Sequence, residues 1–283
     1  MESLLAIAEH AKNFRDNVGL SESDIVPDIV DLIKTQKYEY KEEFSNEGYA
    51  GFSEYIGDWI YRIGFNTCHD YGIQFRRFTL AHELGHVYMP SHQAILRDHP
   101  LHRSYYDNKY DKNTEIEADN FAANFLAPSN FCLRFIQNKE CSPETMRQIA
   151  DYFIISTHAA ALRFIELTDL VCTIVIFNET GTTEFERRSP KMEEMLKPFF
   201  IPYVRKTKIH EHTLAYEVVK GKSKKETCES LMNLWYPKLP KEVSSTESIL
   251  DLGYRGKYMA LLTPTIPYLD EYLAEEEKSP TIY

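Results

Sequence analysis

Leu4, Leu5, Ala8, Ala11, Phe14 and Val18 recur at three- and four-residue steps, which predicts a helix with one apolar face over residues 4–18. Ser21 and Asp24 offer capping side chains for a second short helix ending near Thr35. Over residues 38–66 the pattern shifts to aromatic and β-branched residues punctuated by Gly48, Gly51, Gly57 and Gly64. That texture predicts a small antiparallel sheet whose last strand spans residues 59–65, a candidate edge for pairing with an extended peptide. Residues 75–87 form an apolar run long enough for a buried helix, and residues 90–113 read as a polar, aromatic loop. A further helix is expected over residues 114–126, stopped by Pro128.

Residues 130–137 are amphipathic at helical spacing, and Ser142-Pro143-Glu144 combines a capping hydroxyl with proline at the first helical position. Met146, Ile149, Ala150, Phe153, Ile155, Ala159, Leu162 and Ile165 then predict two short apolar-faced helices broken at residues 154–157, the length and pattern of a helix-turn-helix. Strands are expected at residues 171–177, 215–219 and 257–262. The acidic, proline-containing segment 268–283, with Glu275-Glu276-Glu277, reads as solvated charge.

Composition narrows the function classes. The 283 residues are 43% hydrophobic, enough for substantial cores, and 32 basic side chains face 43 acidic ones for a net charge of −11. Such a chain is a poor nonspecific ligand for nucleic acid or anionic membrane, because both depend on clustered Lys and Arg. No stretch approaches the ~20 apolar residues of a membrane span and no uninterrupted signal-like run opens the chain, so a soluble, cytoplasmic protein without membrane partners is expected. Cys68, Cys132, Cys141, Cys172 and Cys228 are scattered without a CxxC pair, which implies neither a disulfide framework nor a cysteine zinc site.

The chemistry concentrates in His82-Glu83-Leu84-Gly85-His86. An i, i+4 pair sets two imidazoles on one helix face, the reach needed to share one zinc ion, with Glu83 beside them to hold a water. Hydrolytic zinc takes three protein ligands as a rule and keeps a fourth position for water, so a third ligand is required. Glu115 and Asp119 share a face of the next helix: Glu115 can ligate, while Asp119 can accept the other ring N–H of a ligand histidine. Glu117 points away from that face and reads as a solvated carboxylate. His92, ten residues after His82, is the alternative ligand, at the spacing of the longer HExxHxxGxxH motif. Met89 and Pro90 stand where that motif turns the chain with glycine, which favours Glu115.

The segments FRRFTLAHELGH, ending at His86, and EIEADNFAANFLAP, from Glu115 to Pro128, resemble the ImmA/IrrE family of zinc metallopeptidases, in which an FTxAHELGH helix precedes an ExxAxxFAxxxLxP helix. The resemblance is specific over residues 63–128 and absent after about Leu170. Ala127 stands where the family often has a larger apolar residue. The resemblance implies His82, His86 and Glu115 as ligands of Zn²⁺, Glu83 as the catalytic acid/base, and an intracellular endopeptidase. Its implied substrate is a helix-turn-helix transcriptional repressor, whose cleavage would release mobile-element, phage or stress genes.

The expected architecture is α+β. A gluzincin-like peptidase domain of helices plus a small antiparallel sheet spans residues 1–137, a helix-turn-helix-like module spans 138–170, and a C-terminal α/β region spans 171–283. The 90–113 loop carries His92, His99, His102, Tyr105, Tyr106 and Tyr110, any of which can supply an oxyanion donor; the sequence does not single one out. His158, His210 and His212 read as ordinary surface or core residues. Residues 142–167 carry Arg147 and Arg163 against Glu144, Asp151 and Glu166, weak basic support for reading duplex DNA. No specific DNA binding is therefore expected, and a packing or substrate-docking role is favoured. The rival from another class is a DNA-binding regulator that uses this segment and has a non-catalytic metal motif.

Overall fold

The computed structural model describes residues 2–69, 72–105, 112–239, 241 and 243–265. Tyr106, Tyr110 and the segment 268–283 lie outside the described residues. The chain divides into two compact units, Met1–Phe135 with Ile149–Ala159, and Ile136–Gln148 with Ala160–Tyr283. Among the described residues, no helix is long and apolar enough to cross a membrane.

In the first unit, α1 (Leu4–Asn17) starts where the Ser3 hydroxyl accepts from the Ala6 amide, and it buries Ile7, Ala11 and Phe14. Phe14 meets Tyr88 and Phe125 edge-on, at ring separations of 4.9 and 5.4 Å. Helix α2 (Ile29–Thr35) begins later than the Ser21–Asp24 cluster suggests: its cap is Asp28, which accepts from the Val30 and Asp31 amides. Asp24 instead accepts from the Ser21 amide in a local turn, and Pro27 disfavours helix at the residue before it.

Strands β1 (Glu39–Glu43), β2 (Tyr49–Gly57) and β3 (Ile60–Asn66) lead into α3 (Ile73–Tyr88). Residues 90–113 are not simply a loop. Pro90 opens α4 (Pro90–Asp98), a first-turn position where its missing N–H costs nothing, and β4 (Leu101–Tyr105) follows. The sheet order is β1-β3-β2-β4. Two expectations are corrected here. The sheet is mixed, because β1 runs parallel to β3 while β2 is antiparallel to both β3 and β4. Strand β3 is also interior rather than an edge; β1 and β4 are the outer strands.

Helices α5 (Lys112–Leu126), α6 (Ser129–Ile136), α7 (Pro143–Phe153) and α8 (Thr157–Leu167) fall close to their expected places. Ser142 caps α7 through the Thr145 amide, and Ile154 breaks the pair with a left-handed φ of 53°.

The second unit holds β5 (Thr173–Asn178), β6 (Thr183–Arg188), α9 (Pro190–Leu196), α10 (Leu214–Val219), β7 (Thr227–Leu231), β8 (Ser244–Asp251) and β9 (Lys257–Pro264). Its five strands form an antiparallel sheet in the order β6-β5-β9-β8-β7. Val175, Phe177, Ile249, Ala260 and Leu262 pack with Met192, Leu196, Trp235 and Tyr236 in its core. Residues 215–219, expected as a strand, are the helix α10. Thr213 accepts from the Tyr216 amide and the buried Glu247 accepts from the Ala215 amide, a remote cap that outweighs local β propensity. Cys132, Cys141 and Cys172 are buried, Cys68 and Cys228 half-buried, and all five are free thiols.

Candidate metal centre

Helix α3 is buried nearly all round from Thr79 to Val87 because α5 covers one side and β2 and β3 the other. Two glycines set these approaches. A Cβ at Gly85 would lie 3.0 Å from the Phe121 ring, so glycine lets α3 and α5 come close. A Cβ at Gly51 would lie 2.8 Å from Glu83 Oε1 and 2.7 Å from Thr79 Cγ2, so glycine lets β2 press against the Glu83 carboxylate.

The close approach of the two helices brings His82, His86 and Glu115 together, all buried, with one ligand atom of each within 4.8 Å of the others. His82 Nε2 and His86 Nε2 are 3.1 Å apart, and the Glu115 carboxylate lies 3.5 Å from the first and 3.4 Å from the second. An ion about 2.0–2.1 Å from each atom in tetrahedral order sets its ligands about 3.3 Å apart, so these separations fit a divalent cation held by two imidazoles and a carboxylate. Asp119 Oδ1 is 2.8 Å from His82 Nδ1, where it accepts the ring proton and leaves Nε2 free to ligate.

His92 does not join this group. It lies behind His86, with the two Nδ1 atoms 3.0 Å apart, and its Nε2 faces Glu117 Oε2 at 2.9 Å. Glu117 is therefore not the solvated acid that the helix pattern suggests. It is buried, and it also accepts from the Glu2 amide at 2.6 Å. The residue that the sequence leaves undistinguished is His102, on β4: its Nε2 lies 2.7 Å from Glu115 Oε1, with its ring 4.3 Å from that of His86. The alternation of β4 was its only signal, and five residues carry little of it. His99 caps α4 and is exposed.

Glu83 is fully buried. Its Oε2 accepts from the Ser53 hydroxyl at 2.6 Å, while Oε1 has no hydrogen-bond partner among the described residues. Burial pushes its carboxyl above the ordinary range, against the pull of nearby His82 and His102. Burial likewise opposes ionisation of Glu115, but hydrogen bonds from His102, His82 and His86 hold that carboxyl well below the usual range. The two histidines of this group diverge. Burial depresses His86, whereas in His82 the same penalty is overcome by Asp119 and Glu115, which raise it. The arrangement can hold a cation, keep Glu115 anionic, and present one buried carboxylate oxygen without a hydrogen-bond partner among the described residues.

Fold and site together define a metallopeptidase-type domain: a helix bearing two imidazoles and an adjacent acid, packed on a second helix that brings a third candidate ligand. Residues 40–164 match the family described as Peptidase_M78, the IrrE N-terminal-like domain, and this part of the chain belongs to it. No curated protein matches the chain. Among solved structures, a Mycobacterium tuberculosis transcriptional regulator has a similar fold, with a TM-score of 0.53 at 12% identity over 92% of this chain and 76% of that one.

Proposed function

We propose that the chain is a zinc-dependent cytoplasmic endopeptidase whose substrate is a helix-turn-helix transcriptional repressor, so that cleavage acts as an anti-repressor event. The observation that carries the peptidase reading is the convergence of His82, His86 and Glu115 at 3.1–3.5 Å beside a buried Glu83 with an unmet oxygen. Zinc, when bound, supplies Lewis acidity to water and to the scissile carbonyl. Ser53 holds Oε2 of Glu83, so Oε1 is the atom that takes a proton from the attacking water and returns it to the leaving amine. Burial favours the protonated carboxyl that the second of these transfers needs. His102 donates to Glu115 and keeps that carboxylate turned toward the imidazoles. Strand β4, which carries His102, is an outer strand of the sheet. Among the described residues no strand pairs with its side away from β2, which offers backbone pairing to an extended segment, the role that the pattern had suggested for residues 59–65.

The regulator reading is weakened by the state of its two basic residues. Arg163 is buried and paired with Glu166, and Arg147 is paired with Glu226. The substrate class rests on the family resemblance. It is tested by co-expressing the chain with repressors encoded beside it and measuring intact masses. A discrete cut in a linker or exposed loop is expected, and a set of such repressors left whole by zinc-loaded protein contradicts the assignment.

A further inference from the structure

His82 and His86 are backed differently. Behind His82 stands the half-exposed carboxylate of Asp119, with 49% of its side chain accessible. Behind His86 stands another imidazole, His92, and behind that the buried Glu117. One proton arrangement satisfies every contact in this row. His86 turns Nε2 toward His82 and Glu115, so as a ligand it carries its proton on Nδ1. His92 Nδ1, 3.0 Å away, must then accept, which places the His92 proton on Nε2, directed at Glu117 Oε2. Glu117 needs both of its oxygens as acceptors, because Oε1 is already taken by the Glu2 amide. All three side chains are at most 5% accessible, so water does not replace a missing partner cheaply.

We propose that His92 and Glu117 are positioning residues: a relay that locks His86 in the tautomer whose Nε2 faces the metal. The relay rests on the zinc-peptidase reading and adds to it the source of the proton order at one ligand. It also gives a reason for burying Glu117 beside the N-terminal residues. The amide of Glu2 fixes the carboxylate that orients His92, and the Glu2 side chain is tied in turn to Ser91 at 2.6 Å and His10 at 3.0 Å. Outer partners of this kind change metal affinity by about 10–100-fold when removed.

Two measurements on the full chain test this: zinc affinity by competition with a chelating dye, and NMR of the imidazole nitrogens in the zinc-loaded wild type. The spectrum should show His86 protonated on Nδ1 and His92 on Nε2. Glu117→Gln provides one acceptor where two are needed and should weaken zinc binding by about 10–100-fold, as should His92→Phe. His92→Asn keeps an acceptor near the Nδ1 position and should recover part of that loss. If His92→Phe does not fold, Glu117→Gln and the wild-type tautomers decide. Normal zinc binding with the His92 proton on Nδ1, or unchanged affinity in Glu117→Gln, overturns the relay and leaves the zinc reading standing. A wild-type chain that takes up no zinc overturns both.

Discussion

Both units bury carboxylates, and those around the His82–His86 group of the first unit are treated differently from Glu186 and Glu247 of the second, whereas Glu117 of the first unit is closed as they are. In the second unit Glu186 is closed on every side. Its Oε1 accepts from Arg188 and from the Tyr236 hydroxyl at 2.7 Å, and its Oε2 accepts from Arg188 and the Val204 amide. Glu247 is closed too, with the Ala215 amide on one oxygen and the Ser230 hydroxyl on the other, each at 2.9 Å. In the first unit Glu83 keeps a buried oxygen without a partner, and Glu115 is surrounded by three histidines whose nitrogens lie within 3.5 Å. A buried acid whose needs are met internally organises a fold. One that is left open, or ringed by ligating groups, is held in readiness for something else.

The sharpest way to break the comparison is to open a closed acid. Glu186→Ala removes the carboxylate nearest the buried Arg188, which keeps the Ile201 and Pro202 carbonyls and Glu193 at 3.6 Å, and should destabilise the second unit by about 3 kcal/mol in denaturant unfolding, with zinc affinity unchanged. A loss below about 1 kcal/mol would mean that the cluster is not structural. Next in size, His102→Ala removes the nearest donor to Glu115 from a partly exposed position. It should lower the cleavage rate about 10–100-fold while unfolding stays near wild type. An unchanged rate would detach β4 from the site.

The smallest effect concerns Glu247, whose carboxyl is lifted above its ordinary 4.5 by burial, against the hydrogen bonds it accepts. A folded-state value above the unfolded one contributes stability that is fully present below about 4.5 and is lost as pH rises through the raised value. Stability of the wild type should therefore carry a falling slope across that window. Glu247→Gln, which can still accept from the Ala215 amide, should flatten it, and an identical slope in both would contradict the assignment.

Much of the first unit was legible because its signals are local. The i, i+4 histidines and the Glu115 and Asp119 face need only helical geometry to be read, as does the Ser142-Pro143 helix start in the second unit. What escaped depends on remote partners. Helix periodicity correctly turned Glu117 away from Glu115, but it could not tell that residue Glu2 and His92 cover that side. The α10 segment is rich in β-branched and aromatic residues, and its helix is capped from a strand more than thirty residues away. Strand polarity and order are likewise absent from alternation, so neither the parallel β1–β3 pair nor the edge position of β4 was visible.

Glu83→Gln tests the central claim most directly, by metal content and repressor cleavage measured on the same preparation. If Glu83 acts on water while His82, His86 and Glu115 hold the ion, as proposed, the variant should retain one zinc per chain and lose about 10²–10⁴-fold or more of the cleavage rate. A variant that folds yet loses its zinc, or one that still cuts at the wild-type rate, would contradict the account.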